Sequence, residues 1–130
     1  ISSVFKNKNG LLIDDSIVRG NTSKQIVQMA RDAGAKKVFF ASASPPIVFP
    51  NVYGIDMPYV KELIAYNKTN DQICNEIGAD KLIYQDLEDL VESVQILNPD
   101  IKTFDTSCFD GKYITKGVTE EFLDNLHKHR

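Results

Sequence analysis

Asp14 and Asp15 stand side by side at the end of an apolar run, Leu11-Leu12-Ile13, and a short polar stretch, Gly20-Asn21-Thr22-Ser23, follows them closely. Adjacent carboxylates at a strand end suit two tasks: holding sugar hydroxyls and holding a hydrated Mg²⁺. A glycine followed by small polar residues at the opening of a helix suits a phosphate. Glycine lets the backbone approach the anion, and the first turn of a helix presents free N–H groups at the positive end of its dipole. The Thr22 and Ser23 hydroxyls can add donors to that cradle. One segment thus offers both halves of a site for a phosphorylated sugar.

The elements that must position these groups can be read from periodicity. Leu11–Asp15 reads as a buried strand. A helix opening at Lys24, capped by Thr22 or Ser23, runs to about Ala33 with Ile26, Val27, Met29, Ala30 and Ala33 at helical spacing, and Gly34 stops it. Val38–Ala43 reads as a second buried strand ended by Pro45-Pro46. The stretch 47–58 reads as a loop, Tyr59–Tyr66 as helical, and Asn70 or Asp71 as the cap of a helix through Ile77 that Gly78 stops. Lys81–Tyr84 forms a short strand, Asp86 caps a helix over Leu87–Ile96, residues 101–118 hold a short hairpin and 119–127 a terminal helix. Residues 1–9 read as a poor strand or a frayed entry. The alternation of strand and helix predicts an α/β fold, a parallel sheet with flanking helices. Only about three good parallel strands are visible, and such strands are normally covered on both faces in a larger sheet. With no initiating Met, the chain is expected to be the C-terminal piece of a larger fold.

Composition narrows the classes. The 42% hydrophobic and 25% charged content is that of an ordinary globular domain, and a net charge of −3 leaves no electrostatic footprint for nucleic acid. No apolar run approaches the roughly 20 residues that span a bilayer, and no polybasic stretch suggests a membrane surface. Cys74 and Cys108 read as two reduced thiols, and His127 and His129 as part of a solvated tail rather than a metal site. Arg31, Lys36 and Lys37 read as a solvated face and helix end, Phe39, Phe40 and Tyr84 as core, and Asp56 as a loop brace.

The acidic pair and the loop after it resemble the phosphoribosyl-pyrophosphate motif of type I phosphoribosyltransferases. The rest of the chain is similar to one family among them, the amidophosphoribosyltransferases. The resemblance is carried by Asp14-Asp15-Ser16-Ile17-Val18-Arg19-Gly20, Thr22-Ser23, Ala33–Val38, Ala41-Ser42-Ala43 with Pro45, and Pro50-Asn51-Val52-Tyr53-Gly54-Ile55-Asp56-Met57-Pro58. Glu62–Ala65, Ile77–Asp80, Tyr84–Leu87, Phe109, Gly111 and Tyr113–Thr115 continue it. It implies a partial type I phosphoribosyltransferase fold over 1–118, with 119–130 as a C-terminal helix or tail. It also implies a glycosyltransferase-class activity: making 5-phosphoribosylamine from phosphoribosyl pyrophosphate and glutamine-derived ammonia, the first committed step of purine synthesis. By that pattern Asp14, Asp15, Ser16, Arg19, Gly20, Asn21, Thr22 and Ser23 contact the substrate, and Asp14 and Asp15 also serve Mg²⁺. The resemblance further implies purine nucleotide inhibitors, a cytoplasmic location and a homo-oligomeric full-length enzyme.

The chain departs from the family pattern in places. Asn21 replaces a usual Thr, which a loop built on backbone donors should tolerate. Some family members hold a [4Fe–4S] cluster on four cysteines. Here Asn51 and Asp105 occupy ligand positions and only Cys108 matches, so no iron–sulfur cluster is expected. The glutaminase domain, the pyrophosphate-binding segment and the covering loop are not represented in these residues, so the piece alone is expected to be inactive. A receiver-type signalling domain also places an acidic pair at a strand end. It requires a phosphoryl-accepting Asp at the end of the next strand, and Phe39-Phe40-Ala41-Ser42-Ala43 has none. A non-catalytic nucleotide-binding module on the same fold stays open, with both aspartates weighing against it.

Overall fold

The computed structural model describes residues 2–128; the tail reading of His129, and of the His127 side chain, lies outside what is described. A short helix α1 (Ser2–Phe5) leads into strand β1 (Asn9–Asp14), helix α2 (Asn21–Asp32) and strand β2 (Lys37–Ser42). Helix α3 (Asn70–Ile77), strand β3 (Lys81–Ile83) and helix α4 (Leu87–Gln95) follow, then α5 (Ser107–Asp110) and α6 (Glu120–Lys128). Among the described residues the three strands form one parallel sheet in the order β1-β2-β3. Asn9 pairs with Lys37 through to Asp14 with Ser42, and Phe39–Ala41 pairs with Lys81–Ile83.

Strand periodicity explains the core. Val38 and Phe40 on β2 are fully buried and point to the face where Val27 and Ala30 of α2 and Ile73 and Ile77 of α3 pack, joined by Ile17, Ile64 and Ala65. The opposite face has no such layer among the described residues. Leu11 is 54% exposed and Ile13 73%, and Ile83 is exposed as well. The buried strand expected over Leu11–Asp15 is therefore the strand Asn9–Asp14 with one face open, because α2 and α3 cover a single side.

Other expectations need correction. Residues 2–5 are helical rather than extended. Helix α2 opens three residues before Lys24, with Gly20 as its N-cap in the left-handed region (φ 80°), so neither Thr22 nor Ser23 caps it. Helix α3 is capped by Thr69 rather than Asn70 or Asp71: the Gln72 N–H donates to the Thr69 hydroxyl, and the Gln72 side chain accepts from the Thr69 N–H. Tyr59–Tyr66 is not a helix but a single 3₁₀ turn, Val60–Glu62. Leu63, Ile64 and Ala65 are all buried, which consecutive positions on one helix face cannot be, and the Ile64 N–H is committed to the Val18 carbonyl at 2.9 Å. The hairpin expected in 101–118 is replaced by α5, because the Cys108 carbonyl accepts from Val48 and Phe49 instead of from a partner strand nearby. Arg31 is not merely solvated. It donates to the Gly78 carbonyl at 2.6 Å and to Asp80 at 3.1 Å, and Asp80 also accepts the Val38 N–H at 2.7 Å. That junction ties α2 and β2 to the turn between α3 and β3. Asp86 caps α4 as expected, accepting from the Glu88 and Asp89 amides.

Candidate sugar-phosphate site

The site grows from the carboxyl end of β1. Asp14 is the last residue of the strand, and the chain bends at Asp15, so the two side chains are no longer forced to opposite faces. The Asp15 N–H donates to Asp14 Oδ1 at 2.9 Å, and the Ser16 hydroxyl to Asp15 Oδ1 at 3.3 Å. The Ala43 N–H donates to the Asp14 carbonyl at 2.9 Å, which fastens the end of β1 to the segment leaving β2. Ile17, 1% exposed, then anchors the chain in the core before the loop reaches the surface.

Gly20 makes the turn. Its φ of 80° is costly for any other residue, and a Cβ built there would lie 2.2 Å from Ile64 Cδ1. The Gly20 carbonyl accepts the Lys24 N–H at 2.9 Å, closing the first turn of α2. No side chain caps that turn, so its leading amides, from Asn21 to Ser23, are left for an external acceptor. Asn21 and Thr22 are exposed at this end, whereas Ser23 is buried and its hydroxyl is not open at the surface. The helix therefore opens as an anion site requires.

Arg19 is placed differently from its neighbours in sequence. Its guanidinium pairs with Glu62 at 3.3 Å, and both residues line a cleft of about 1080 Å³ with Pro50, Asp56, Met57 and Tyr59. Glu62 Oε2 also accepts the Tyr59 N–H at 3.1 Å. Sequence reasoning missed Glu62 and Ile64 as parts of this site. Only the long-range contact reveals them; the local pattern around them reads as an ordinary helix.

A second cluster touches the cleft residues Met57 and Pro50 from behind, through Cys108 and Tyr113. Asn51 accepts from the Tyr53 and Ile55 amides and hydrogen-bonds the Cys108 thiol. Asp105 accepts from the Ser107 amide and hydroxyl. Burial pushes the Cys108 thiol up; the bond to Asn51 opposes this and the Asp105 charge adds to it. The Tyr113 hydroxyl donates to the Pro50 carbonyl at 2.7 Å, and burial foremost, with Cys108, Tyr53 and Asp105 adding to it, pushes that phenol up to about 12. Asn51, Asp105 and Cys108 are thus brought together, with Asn51 bonded to the thiol and Asp105 a nearby charge whose own hydrogen bonds go to Ser107.

Among the described residues no group of three or more histidines, cysteines or acids gathers to hold a metal. Two hard carboxylates at one strand end nevertheless fit Mg²⁺, which usually takes one or two protein carboxylates and completes its shell with water and phosphate oxygens.

No protein-family model matches the chain. It is 61% identical over 130 residues to the amidophosphoribosyltransferase of Pasteurella multocida (strain Pm70), covering 100% of this chain and 26% of that protein. It is 60% identical over 122 residues to the amidophosphoribosyltransferase of Escherichia coli (strain K12), covering 94% of this chain and 24% of that protein. Among solved structures, it resembles the glutamine phosphoribosylpyrophosphate amidotransferase from B. subtilis complexed with ADP and GMP. There the TM-score is 0.79 at 39% identity, over 89% of this chain and 26% of that one. The same TM-score, at 38% identity, relates 97% of it to 27% of a chain described as the allosteric regulatory enzyme of purine biosynthesis. The three-stranded parallel sheet with its flanking helices is accordingly part of a type I phosphoribosyltransferase fold. The chain spans about a quarter of the length of the curated relatives it matches. On this likeness along nearly its whole length, the chain belongs to the amidophosphoribosyltransferase family.

Proposed function

We propose that this chain supplies the ribose-phosphate half of an amidophosphoribosyltransferase site, in an enzyme that makes 5-phosphoribosylamine from phosphoribosyl pyrophosphate and glutamine-derived ammonia. The observation that carries this is the juxtaposition of Asp14-Asp15 at the end of β1 with the uncapped first turn of α2 behind Gly20. The residues divide the work. The amides of 20–23 hold the 5′-phosphate, with Ser16 and the exposed Asn21 and Thr22 side chains beside it. Asp14 and Asp15 orient the ribose hydroxyls and would hold Mg²⁺. Magnesium, when bound, neutralises charge on the departing pyrophosphate. Fixing the phosphate and the sugar brings C1 into line for attack, which is the larger part of what such a displacement needs. Residues 1–118 form the phosphoribosyltransferase part and 119–130 a terminal helix or tail.

The wider assignments follow from the same reading. Purine nucleotides act as inhibitors; the B. subtilis relative is complexed with ADP and GMP, and the cleft beside Arg19 adjoins the phosphate loop. No iron–sulfur cluster is held at Asn51, Asp105 and Cys108, since ligation normally takes four thiolates. The intact enzyme is a cytoplasmic homo-oligomer. No helix among the described residues is long and apolar enough to cross a membrane.

The test is the double substitution Asp14→Asn, Asp15→Asn in the intact protein, which removes charge and roughly keeps shape. Phosphoribosyl transfer should fall by about 10²-fold or more. Unchanged transfer kinetics would refute the assignment.

A further inference from the structure

Three consecutive residues, the two that lead into the phosphate loop and its first, are gripped by one turn that is distant in sequence. The Val18 carbonyl accepts the Ile64 N–H at 2.9 Å. Arg19 pairs with Glu62 at 3.3 Å. Gly20 lies so close to Ile64 that a Cβ would collide with it. Glu62 is itself fixed, because the same oxygen that meets Arg19 accepts the Tyr59 N–H. Ile64 is 3% exposed and belongs to the central core, so the grip is anchored to the body of the fold.

We infer that Glu62 is a positioning residue for the sugar-phosphate site. It engages Arg19 on the cleft side of the loop, and Arg19 braces the loop there instead of contacting the phosphate. The argument is geometric and electrostatic. A loop that binds through backbone N–H groups depends on its φ/ψ angles being set before the anion arrives. Gly20, the residue with the most conformational freedom, stands at its start. Ties on Val18, Arg19 and Gly20 remove that freedom from outside the anion pocket. Glu62 also compensates the Arg19 charge, so the phosphate meets amides rather than a mobile cation. The inference rests on the reading of residues 20–23 as the phosphate loop.

A double-mutant cycle in the intact protein tests it, with KM for phosphoribosyl pyrophosphate and kcat read separately. Both partners are about half exposed, so the effect is modest: Glu62→Ala and Arg19→Ala should each raise KM by about threefold to tenfold with kcat nearly unchanged. The double variant should be no worse than either single one. Glu62→Gln, which keeps an acceptor for the Tyr59 N–H and a neutral bond to Arg19, should recover most of the loss. It also serves as the folded control should Glu62→Ala fail to fold. Additive losses would mean that Glu62 acts only through the Tyr59 turn. A much larger loss in Arg19→Ala than in Glu62→Ala, or tighter binding in Glu62→Ala, would mean that Arg19 contacts the phosphate itself. Either result overturns the inference. Gly20→Ala separates this from the underlying reading. If that substitution leaves KM unchanged, the phosphate-loop reading has failed. If it raises KM while Glu62→Ala does nothing, only the positioning role has failed.

Discussion

At the scale of single residues, the chemistry is concentrated where side chains are small or charged and the backbone is exposed. Gly20 is the sharpest case. Two independent constraints act on it, a positive φ and the contact with Ile64, so no rearrangement of one neighbour relieves both. Gly20→Ala should therefore raise the dissociation constant of ribose 5-phosphate by at least about tenfold, while the fold away from the loop persists. Isothermal titration with ribose 5-phosphate checks this, and a near-neutral result would place the phosphate elsewhere. Gly54, also at positive φ, has nothing within 4 Å of a built Cβ, so Gly54→Ala is the control for backbone strain without collision. The importance of Gly20 was legible from its place between an acidic pair and a helix. The identity of the residue that crowds it, Ile64, was not, because 44 positions separate the two and no local pattern links them.

At the scale of elements, the sheet and helices are held in register by a polar junction as well as by the core. Asp80 accepts from the Val38 amide and pairs with Arg31, which also holds the Gly78 carbonyl that ends α3. The Val38 N–H bond foremost, with the Arg31 bond and charge aiding it, holds the Asp80 carboxyl below the usual carboxylate range despite partial desolvation. Because its folded pKa is depressed, the stabilisation from Asp80 is present above the unfolded value near 3.9 and is lost as pH falls through the folded value. Asp80→Ala should speed exchange of the Val38 amide by about tenfold at neutral pH, equivalent to about 1.4 kcal/mol, by leaving that donor unpaired. The effect of the same substitution should shrink as pH falls through the folded value, where the carboxyl takes up a proton in both states. Native-state hydrogen exchange reads both. Helices α2, α3 and α4 were legible because their apolar spacing and glycine or aspartate boundaries are local signals. The 59–66 turn was misread because its apolar run is buried on all sides by the loop and core around it, and burial of that kind mimics a helix in sequence.

At the scale of the whole molecule, the sheet presents one packed face and one open one. Leu11, Ile13 and Ile83 project from the face opposite α2 and α3, and Ile96 and Leu97 add further exposed apolar surface beyond α4. Expressed by itself, the 130-residue chain should self-associate through such surface and through the free edge of β1. On the proposed reading it should also fail to release pyrophosphate from phosphoribosyl pyrophosphate even with ammonia supplied, since the contacts proposed for its residues are to the sugar and 5′-phosphate and the segment that would grip the pyrophosphate is not among them. A preorganised electrostatic element of that kind is worth about 10²–10³-fold in rate. Analytical ultracentrifugation and an ammonia-dependent pyrophosphate assay test the two statements. A monodisperse monomer would contradict the first, and turnover near that of the intact enzyme the second.

The sequence by itself determined the class of fold, the position of the acidic pair and the presence of a helix shortly behind it. Each of these depends on residues close together in the chain: alternation along strands, spacing along helices, and Asp-Asp before Gly-Asn-Thr-Ser. The tertiary structure decided where Arg19 points, why a side chain at position 20 is disfavoured, and that Asn51, Asp105 and Cys108 come together. It also decided that β1 is covered on one face only. These outcomes depend on which distant segments meet, and a side chain's partner, exposure and electrostatic surroundings are properties of that meeting rather than of its neighbours in sequence.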